Sequence, residues 1–467
     1  MSDGSSASPI VGAAMFRGGA RGRRRLRAEV PSAPAQDEPT GKRVMRAKPI
    51  ALSLALVVLV ALTSCRSRSL DYPRTFELVW ETLDRTYFDP AFGGLDWQAA
   101  RDRYLPQIAA ARTDEEFYRL VNNMLWELNV SHANLVPPGR LAHREPLACA
   151  EGSPGVDIRV LDGVAVVTSV KPGSPADRAG LRPGYAVHAV DGIPVEQIAQ
   201  EAALVLRPPR NSRHQIALVT KDILGRVFGA PGTEVSITCS GPEGERRETR
   251  VARAKRNGRA LGPGGILHLA VELESRRLDN GIGYIRTNTL QPPLAVQIAG
   301  AITSMGGGVT GVIFDLRGNS GGEIEGIPEL FLKERTLLYL SRSRKGEAKV
   351  FSDPAGGAFG GPLVLLIDQL TGSAGELLAG CLQAMGRAVV VGDRSPGAVT
   401  ESDMTVLPNG AIFMYPVAQL ATPDGLVLEG RGVAPDIEVR LERKLLLKGI
   451  DSQLNAAVGY LQRPTQK

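Results

Sequence analysis

The chain has 467 residues, a formal charge of +6, 43% hydrophobic residues and 5% aromatics, which at roughly 150 residues per domain predicts about three domains with ample core. Ten basic and four acidic residues within 1–48 supply the whole +6 and the rest carries 45 of each sign, so the charge gives no ground for nucleic-acid binding by the folded part. Four cysteines are too few for a disulfide scaffold, and no CxxC or Cys/His ligand spacing occurs, so neither a metal nor a cofactor is expected.

Residues 1–44 are rich in Arg, Pro and Ala without periodicity and read as a non-globular extension, or as a start placed upstream of the true initiator Met45. From Met45 a short basic stretch precedes an apolar run, Ile50 to Leu62. Thirteen residues at about 1.5 Å each are too short to cross a hydrocarbon core of roughly 30 Å, so 45–64 reads as a signal peptide rather than a spanning helix. Leu62-Thr63-Ser64-Cys65 looks like a bacterial lipobox, which implies a lipid on the Cys65 thiol. The mature chain is then expected in the bacterial cell envelope, anchored to a membrane and facing the periplasm or exterior. In that compartment Cys149 and Cys239 are candidates for a disulfide, which their spacing leaves open.

The mature chain reads as multidomain α/β. Residues 65–149 form a helical region: Phe76, Val79 and Leu83 recur at helical spacing, as do Phe117, Leu120, Val121, Met124 and Leu125. Thr113-Asp114-Glu115-Glu116 supplies capping-box chemistry for the second of these helices. The region carries Ser131-His132. Residues 150–255 read as a β-rich module of short alternating runs between Gly/Pro turns. Within it SPADRAGLRPGYAVHAVDGIPV resembles bacterial PDZ domains. The resemblance implies that an extended peptide adds as a strand, its terminal carboxylate held by a loop for which Gly155-Val156-Asp157-Ile158 is the candidate.

Residues 256–443 read as alternating strands and helices, hence a largely parallel sheet covered by helices. The strands are GIGYIRT, GVTGVIFDLRG, PLVLLID and AVVVGD; the helices are PPLAVQIAGAITSM, IEGIPELFLK and AGELLAGCLQAM. Residues 444–467 form a tail or helix, with Lys444–Lys448 on a solvated face. Cys381 falls at apolar spacing on its helix and is expected in the core. Loops at the carboxyl ends of parallel strands are the usual place for chemistry. One here is Asp315-Leu316-Arg317-Gly318-Asn319-Ser320-Gly321-Gly322, whose glycines admit a close approach of backbone N–H groups and whose Asp315 and Arg317 read as structural. The other, Asp368 to Glu376, places Ser373 at a helix N-terminus, where free N–H groups favour a developing oxyanion. By spacing alone the N-cap is the favoured reading of Ser373.

LNVSHANLVPP, the PDZ segment, GYIRTNTL, FDLRGNSGG, TGSAGELLAGCLQ, VVVGDRSPGA and LEGRGVAPDIEV, in that order, are similar to the C-terminal-processing and tricorn-type serine peptidases. That family's catalytic domain is related to the ClpP and crotonase folds. The processing branch pairs its serine with a lysine about where Gly397-Ala398-Val399 stands, but no lysine occurs between Ser373 and Lys444, so a Ser–Lys dyad on that template is excluded. The tricorn-type branch uses serine, histidine, a second serine and glutamate, matched by Ser373, His132, Ser131 and Glu429. The resemblance implies attack by Ser373, proton transfer by His132, and orientation of the imidazole by Glu429 through Ser131. It also implies an oxyanion hole of backbone N–H groups from Ala374 and from Gly321 or Gly322. The expected activity is that of a serine endopeptidase acting on polypeptides recognised in part by their C-termini. The alternatives are an inactive PDZ-containing scaffold lipoprotein and, last, an acyl-ligand carrier or transferase.

Overall fold

The computed structural model describes residues 71–205, 212–261, 267–353 and 357–463. The extension 1–44, the signal segment 45–64 and Cys65 lie outside the described residues. Among the described residues, no helix is long and apolar enough to cross a membrane.

The chain opens on three helices, α1 (Tyr72–Thr86), α2 (Trp97–Ala110) and α3 (Asp114–Trp126). Phe76, Val79 and Leu83 of α1 meet Phe117, Leu120, Val121, Met124 and Leu125 of α3 in one core, as their spacing predicts. Thr113 caps α3 through Oγ1, which accepts from the Glu116 N–H at 3.2 Å; the Glu116 carboxylate accepts from Arg112 N rather than from the cap itself. Helix α2 is not among the sequence expectations. It buries only Trp97, Ala100 and Ile108 and contains Pro106, so its apolar period is faint. The short strand β1 (Asn134–Val136) follows, its Leu135 joining this core.

The next module is an antiparallel sheet of β2 (Val156–Leu161), β3 (Val164–Val170), β4 (Ala186–Val190), β5 (Glu234–Ser240) and β6 (Arg246–Ala252), in that order across the sheet. Helix α4 (Pro175–Arg178) begins where expected, with Ser174 as its N-cap. The β-rich description is incomplete, because α5 (Val195–Val205) and α6 (Ser212–Val227) also belong here. Ile223, Leu224 and Val227 of α6 close one side of the core. Cys149 and Cys239 are free and sit in different apolar clusters, so the candidate disulfide is absent. Burial pushes the Cys149 thiol up to about 12.

The last module carries a six-stranded sheet: β7 (Leu273–Arg277), β8 (Gly283–Thr287), β9 (Val312–Asp315), then β12 (Leu363–Ile367), β13 (Val389–Gly392) and β16 (Ile437–Glu438). All pairs are parallel except β7 with β8. The crossover helices are α7 (Leu294–Ser304) and α8 (Ala374–Ala384). Phe314, Leu365 and Val390 face those helices, whereas Ile313, Val364, Leu366 and Val391 face α10 (Ser452–Leu461). Burial on both faces explains the uninterrupted apolar runs. Cys381 lies in the first of these cores, as expected.

Three features depart from the expectation. IEGIPELFLK is not a helix: only Pro328–Leu330 makes a single 3-10 turn, after Gly326 at φ +77°, while Ile324, Ile327, Phe331 and Leu332 are apolar because they pack into the core. A second sheet, antiparallel, is built from β10 (Leu337–Ser343), β11 (Gly346–Phe351), β14 (Glu401–Val406) and β15 (Ile412–Ala421). It takes up β1 against β15, Asn134 opposite Met414. Lastly, Lys444 and Lys448 are exposed as expected, but Leu446 between them is buried, and the preceding Arg443 of α9 (Arg443–Leu446) donates to the carbonyls of Gly184 and Gly241 in the β2–β6 module, so one side of this stretch is a clasp.

Candidate active site

The glycine loop after β9 and the serine loop after β12 leave adjacent parallel strands and are laced together. Gly372 N donates to Asn319 O at 2.8 Å, Thr371 Oγ1 to Leu316 O at 2.8 Å, and Gly318 N to Asp368 Oδ1 at 2.9 Å. Arg317 reads as expected: it pairs with Asp315 at 2.7 Å and reaches Asp451 at the start of α10 at 2.8 Å. Burial raises the Asp315 carboxyl, but the guanidinium outweighs it and holds the group below the usual carboxylate range.

Ser373 occupies the N-cap of α8 with φ 55° and ψ −123°. Six non-glycine residues among those described have positive φ: Phe92, Asn129, His132, Asp162, Asp191 and Ser373. Asn, Asp and His tolerate this region, which leaves Phe92 and the predicted nucleophile Ser373. Gly321, at φ +94°, lies flat against the serine: a Cβ there would meet Ser373 Cβ at 2.5 Å.

The predicted base sits between β1 and α3, and long-range hydrogen bonds tie its neighbour Ser131 to Glu429. Ser131 N donates to Glu429 Oε1 at 2.5 Å and Ser131 Oγ to Glu429 Oε2 at 2.8 Å. Ser131 Oγ is 2.7 Å from His132 Nδ1. Val399 N also donates to Glu429 Oε2, at 2.7 Å, and the neighbouring Ala398 O accepts from Ser373 N at 2.9 Å. A continuous chain of contacts thus runs from Ser373 through Ala398-Val399, Glu429 and Ser131 to His132. The serine hydroxyl has one proton, which goes to the carboxylate, so it accepts from Nδ1–H; the Nε2 of His132 then carries the lone pair. Ala398, in place of a lysine, brings no amine to the site.

Of the two glycines named for the oxyanion hole, Gly321 has its N–H committed to Asn319 Oδ1 at 2.9 Å. Gly322 has no such acceptor among the described residues, and neither does Ala374 at the first turn of α8. Gly155 turns into β2 at φ +82°, and β2 is an edge strand. Val156 and Ile158 point into the module core, and Asp157 is buried between Arg159 and Arg286, each at 2.7 Å, so these residues offer a peptide their backbone rather than their side chains.

Two sets of residues escape the sequence reading. Arg159 on β2 pairs with both Asp157 and Asp368, at 2.7 and 2.6 Å, tying the module to the serine loop. Charged residues on a strand with both faces buried are the signal that marks them. Glu376 is fully buried behind Ser373, and its S-x-x-E spacing from the serine was the available clue.

A serine at a helix start behind a parallel sheet, with a glycine loop pressed against it and a histidine tied nearby, is the architecture of a serine peptidase. The sequence profile of peptidase family S41 matches residues 281–439, a tricorn protease C1 domain 69–126, and a PDZ domain 166–217. The carboxyl-terminal-processing protease of Synechocystis sp. is 29% identical over 407 residues, 85% of this chain and 88% of that one. A putative tricorn protease homolog 2 of Streptomyces coelicolor is 27% identical over 389 residues, 76% of this chain and 29% of that one. Among solved structures, the photosystem II D1 C-terminal processing protease shares the fold with a TM-score of 0.53, at 22% identity, over 84% of this chain and 98% of that one. Residues 281–439 match peptidase family S41 and 166–217 a PDZ domain, and the chain is a multidomain serine peptidase that resembles the C-terminal-processing proteases. None of these findings favours the inactive-scaffold reading.

Proposed function

We propose that this chain is a C-terminal-processing type of endopeptidase that works through Ser373, His132, Ser131 and Glu429. The observation that carries the reading is the two-pronged grip of Glu429 on Ser131, with Ser131 Oγ on His132 Nδ1. His132 Nε2 takes the proton of Ser373 as the hydroxyl attacks the scissile carbonyl, then returns it to the leaving amine. The imidazolium is steadied by Glu429 through the serine hydroxyl. The tetrahedral oxyanion is received by the N–H groups of Ala374 and Gly322, since that of Gly321 is engaged. The substrate is an extended polypeptide; its tail adds along β2, which raises its concentration near Ser373. The protein works in the cell envelope, held to a membrane by a lipid on Cys65.

Ser373→Ala and His132→Ala are each expected to lower cleavage of an unfolded protein at least about 10³-fold with unchanged far-UV circular dichroism. A fluorophosphonate should label the wild type and not Ser373→Ala. Turnover by either variant at the wild-type rate would sink the tetrad.

A further inference from the structure

Glu376 lies at the third position of α8 with no exposed surface, and its two oxygens receive four donors. Oε1 accepts from Ser395 Oγ at 2.6 Å and Gly397 N at 2.7 Å. Oε2 accepts from Ala398 N at 2.8 Å and Ser373 N at 3.2 Å. The next amide along, Val399 N, turns to the other buried-side carboxylate, Glu429. One five-residue loop therefore hangs between two glutamates, the first behind the nucleophile and the second behind the Ser131-His132 pair. We propose that Glu376, in its ionised form, is a positioning residue: it fixes the peptide of Ser373 to the loop Ser395–Val399 and so sets nucleophile against base. The inference rests on the tetrad proposed above and deepens it.

Ionisation matters because of the donor count. A carboxylate offers acceptor sites to all four donors, whereas the neutral acid turns an O–H toward groups that are themselves donors. The surroundings make that proton easy to gain. No arginine or lysine pairs with Glu376 among the described residues; the loop presents amides and one hydroxyl, α8 presents the Ser373 amide, and the charged group facing it is Glu429, of like sign. Burial pushes the carboxyl up to about 7, against the pull of Ser395 and the Ala398 and Gly397 amides, with Glu429 raising it further. A loop opened to water returns the carboxyl to its ordinary range, so the closed loop binds the proton more tightly and is harder to open as pH falls through neutrality, while the four-donor arrangement that sets Ser373 belongs to the ionised form above it.

The test is hydrogen exchange on the full chain, followed on the peptide spanning Ser395–Val399 and corrected for intrinsic rates. The wild type should gain at least about tenfold in protection between pH 8 and pH 6. Glu376→Gln, which has no proton to titrate, should show protection that does not change between the two pH values. Fluorophosphonate labelling of Glu376→Gln should be about 10- to 100-fold slower, and its pH profile should fall from a two-proton to a one-proton rise. Protection that is the same at both pH values in the wild type would overturn the proposal, and this series needs no variant to fold. Labelling that depends on Ser373 and His132 yet is unchanged in rate and pH profile in Glu376→Gln would remove Glu376 alone. Labelling that survives Ser373→Ala would remove the tetrad, with the exchange result still deciding whether Glu376 holds the loop.

Discussion

Asp157, at the seam between the PDZ module and the parallel sheet, and Glu376, behind the nucleophile, are both withdrawn from water and both fully hydrogen-bonded. Their titration ranges nevertheless part in opposite directions. Burial raises both. At Asp157 the guanidiniums of Arg159 and Arg286 outweigh it and hold the carboxyl at about 2; at Glu376 only neutral donors oppose it, and the carboxyl rises to about 7. Amides and hydroxyls can satisfy every lone pair without supplying the countercharge that keeps an anion ionised in a poor dielectric. The seam is therefore a structural rivet indifferent to physiological pH, and the region behind the serine is a responsive one.

The sharpest way to break this contrast is Arg159→Ala, which deprives Asp157 of one cation and Asp368 of its only ion pair among the described residues. Stability should fall by about 3–5 kcal/mol in urea unfolding, because buried charge is left uncompensated. The Asp157 carboxyl should then move upward, toward the behaviour of Glu376. A cost below about 1 kcal/mol would mean that the seam is wetter than its burial indicates.

The next effect concerns pH. Glu376 binds a proton more tightly folded than unfolded, so its contribution to stability is present at low pH and is lost as pH rises from about 4.5 to about 7, of order 3 kcal/mol. Asp157 works with the other sign: its contribution is present above about 3.8 and is lost as pH falls toward about 2, of order 2 kcal/mol. Urea midpoints measured across pH should show Glu376→Gln flattening the decline between pH 5 and 7 while leaving the acid limb below pH 4 in place. If the decline persists undiminished in the variant, another group drives it.

The smallest expected change sharpens the comparison from the donor side. Ser395 Oγ gives its proton to Glu376 and accepts from Val433 N at 2.7 Å, so Ser395→Ala withdraws a donor without adding charge. Stability at pH 8 should drop by about 1–2 kcal/mol. The rising limb of activity with pH should shift upward, since the ionised form has lost a partner. An unshifted limb would dissociate that limb from Glu376.

Much of the fold was legible because its central strands are buried on both faces, which leaves a local mark in runs such as Val312–Asp315 and Leu363–Ile367. The second sheet left none. Strand β15 is interrupted by Pro416, alternates only in part, and finds β1 nearly three hundred residues back, a pairing no local period encodes. IEGIPELFLK misled for the opposite reason: burial placed apolar residues at near-helical intervals where Gly326 and Pro328 forbid the helix. At the candidate site, the proposed Ser373, His132 and Glu429 were readable only through motifs that resemble a family, because each is an unremarkable residue by itself. Glu376 resembled an ordinary capping glutamate, and only the fold of Ser395–Val399 around it gives it a different task.

The clasp between Ser131 and Glu429 joins positions 298 apart in the chain. On the tetrad reading, a ribosome reaches the histidine early, the nucleophile late, and the residue that orients the pair almost last. A polypeptide that stalls or is clipped ahead of that final glutamate carries the hydroxyl but no organised base. Destructive chemistry is then withheld from unfinished copies by the order of synthesis itself.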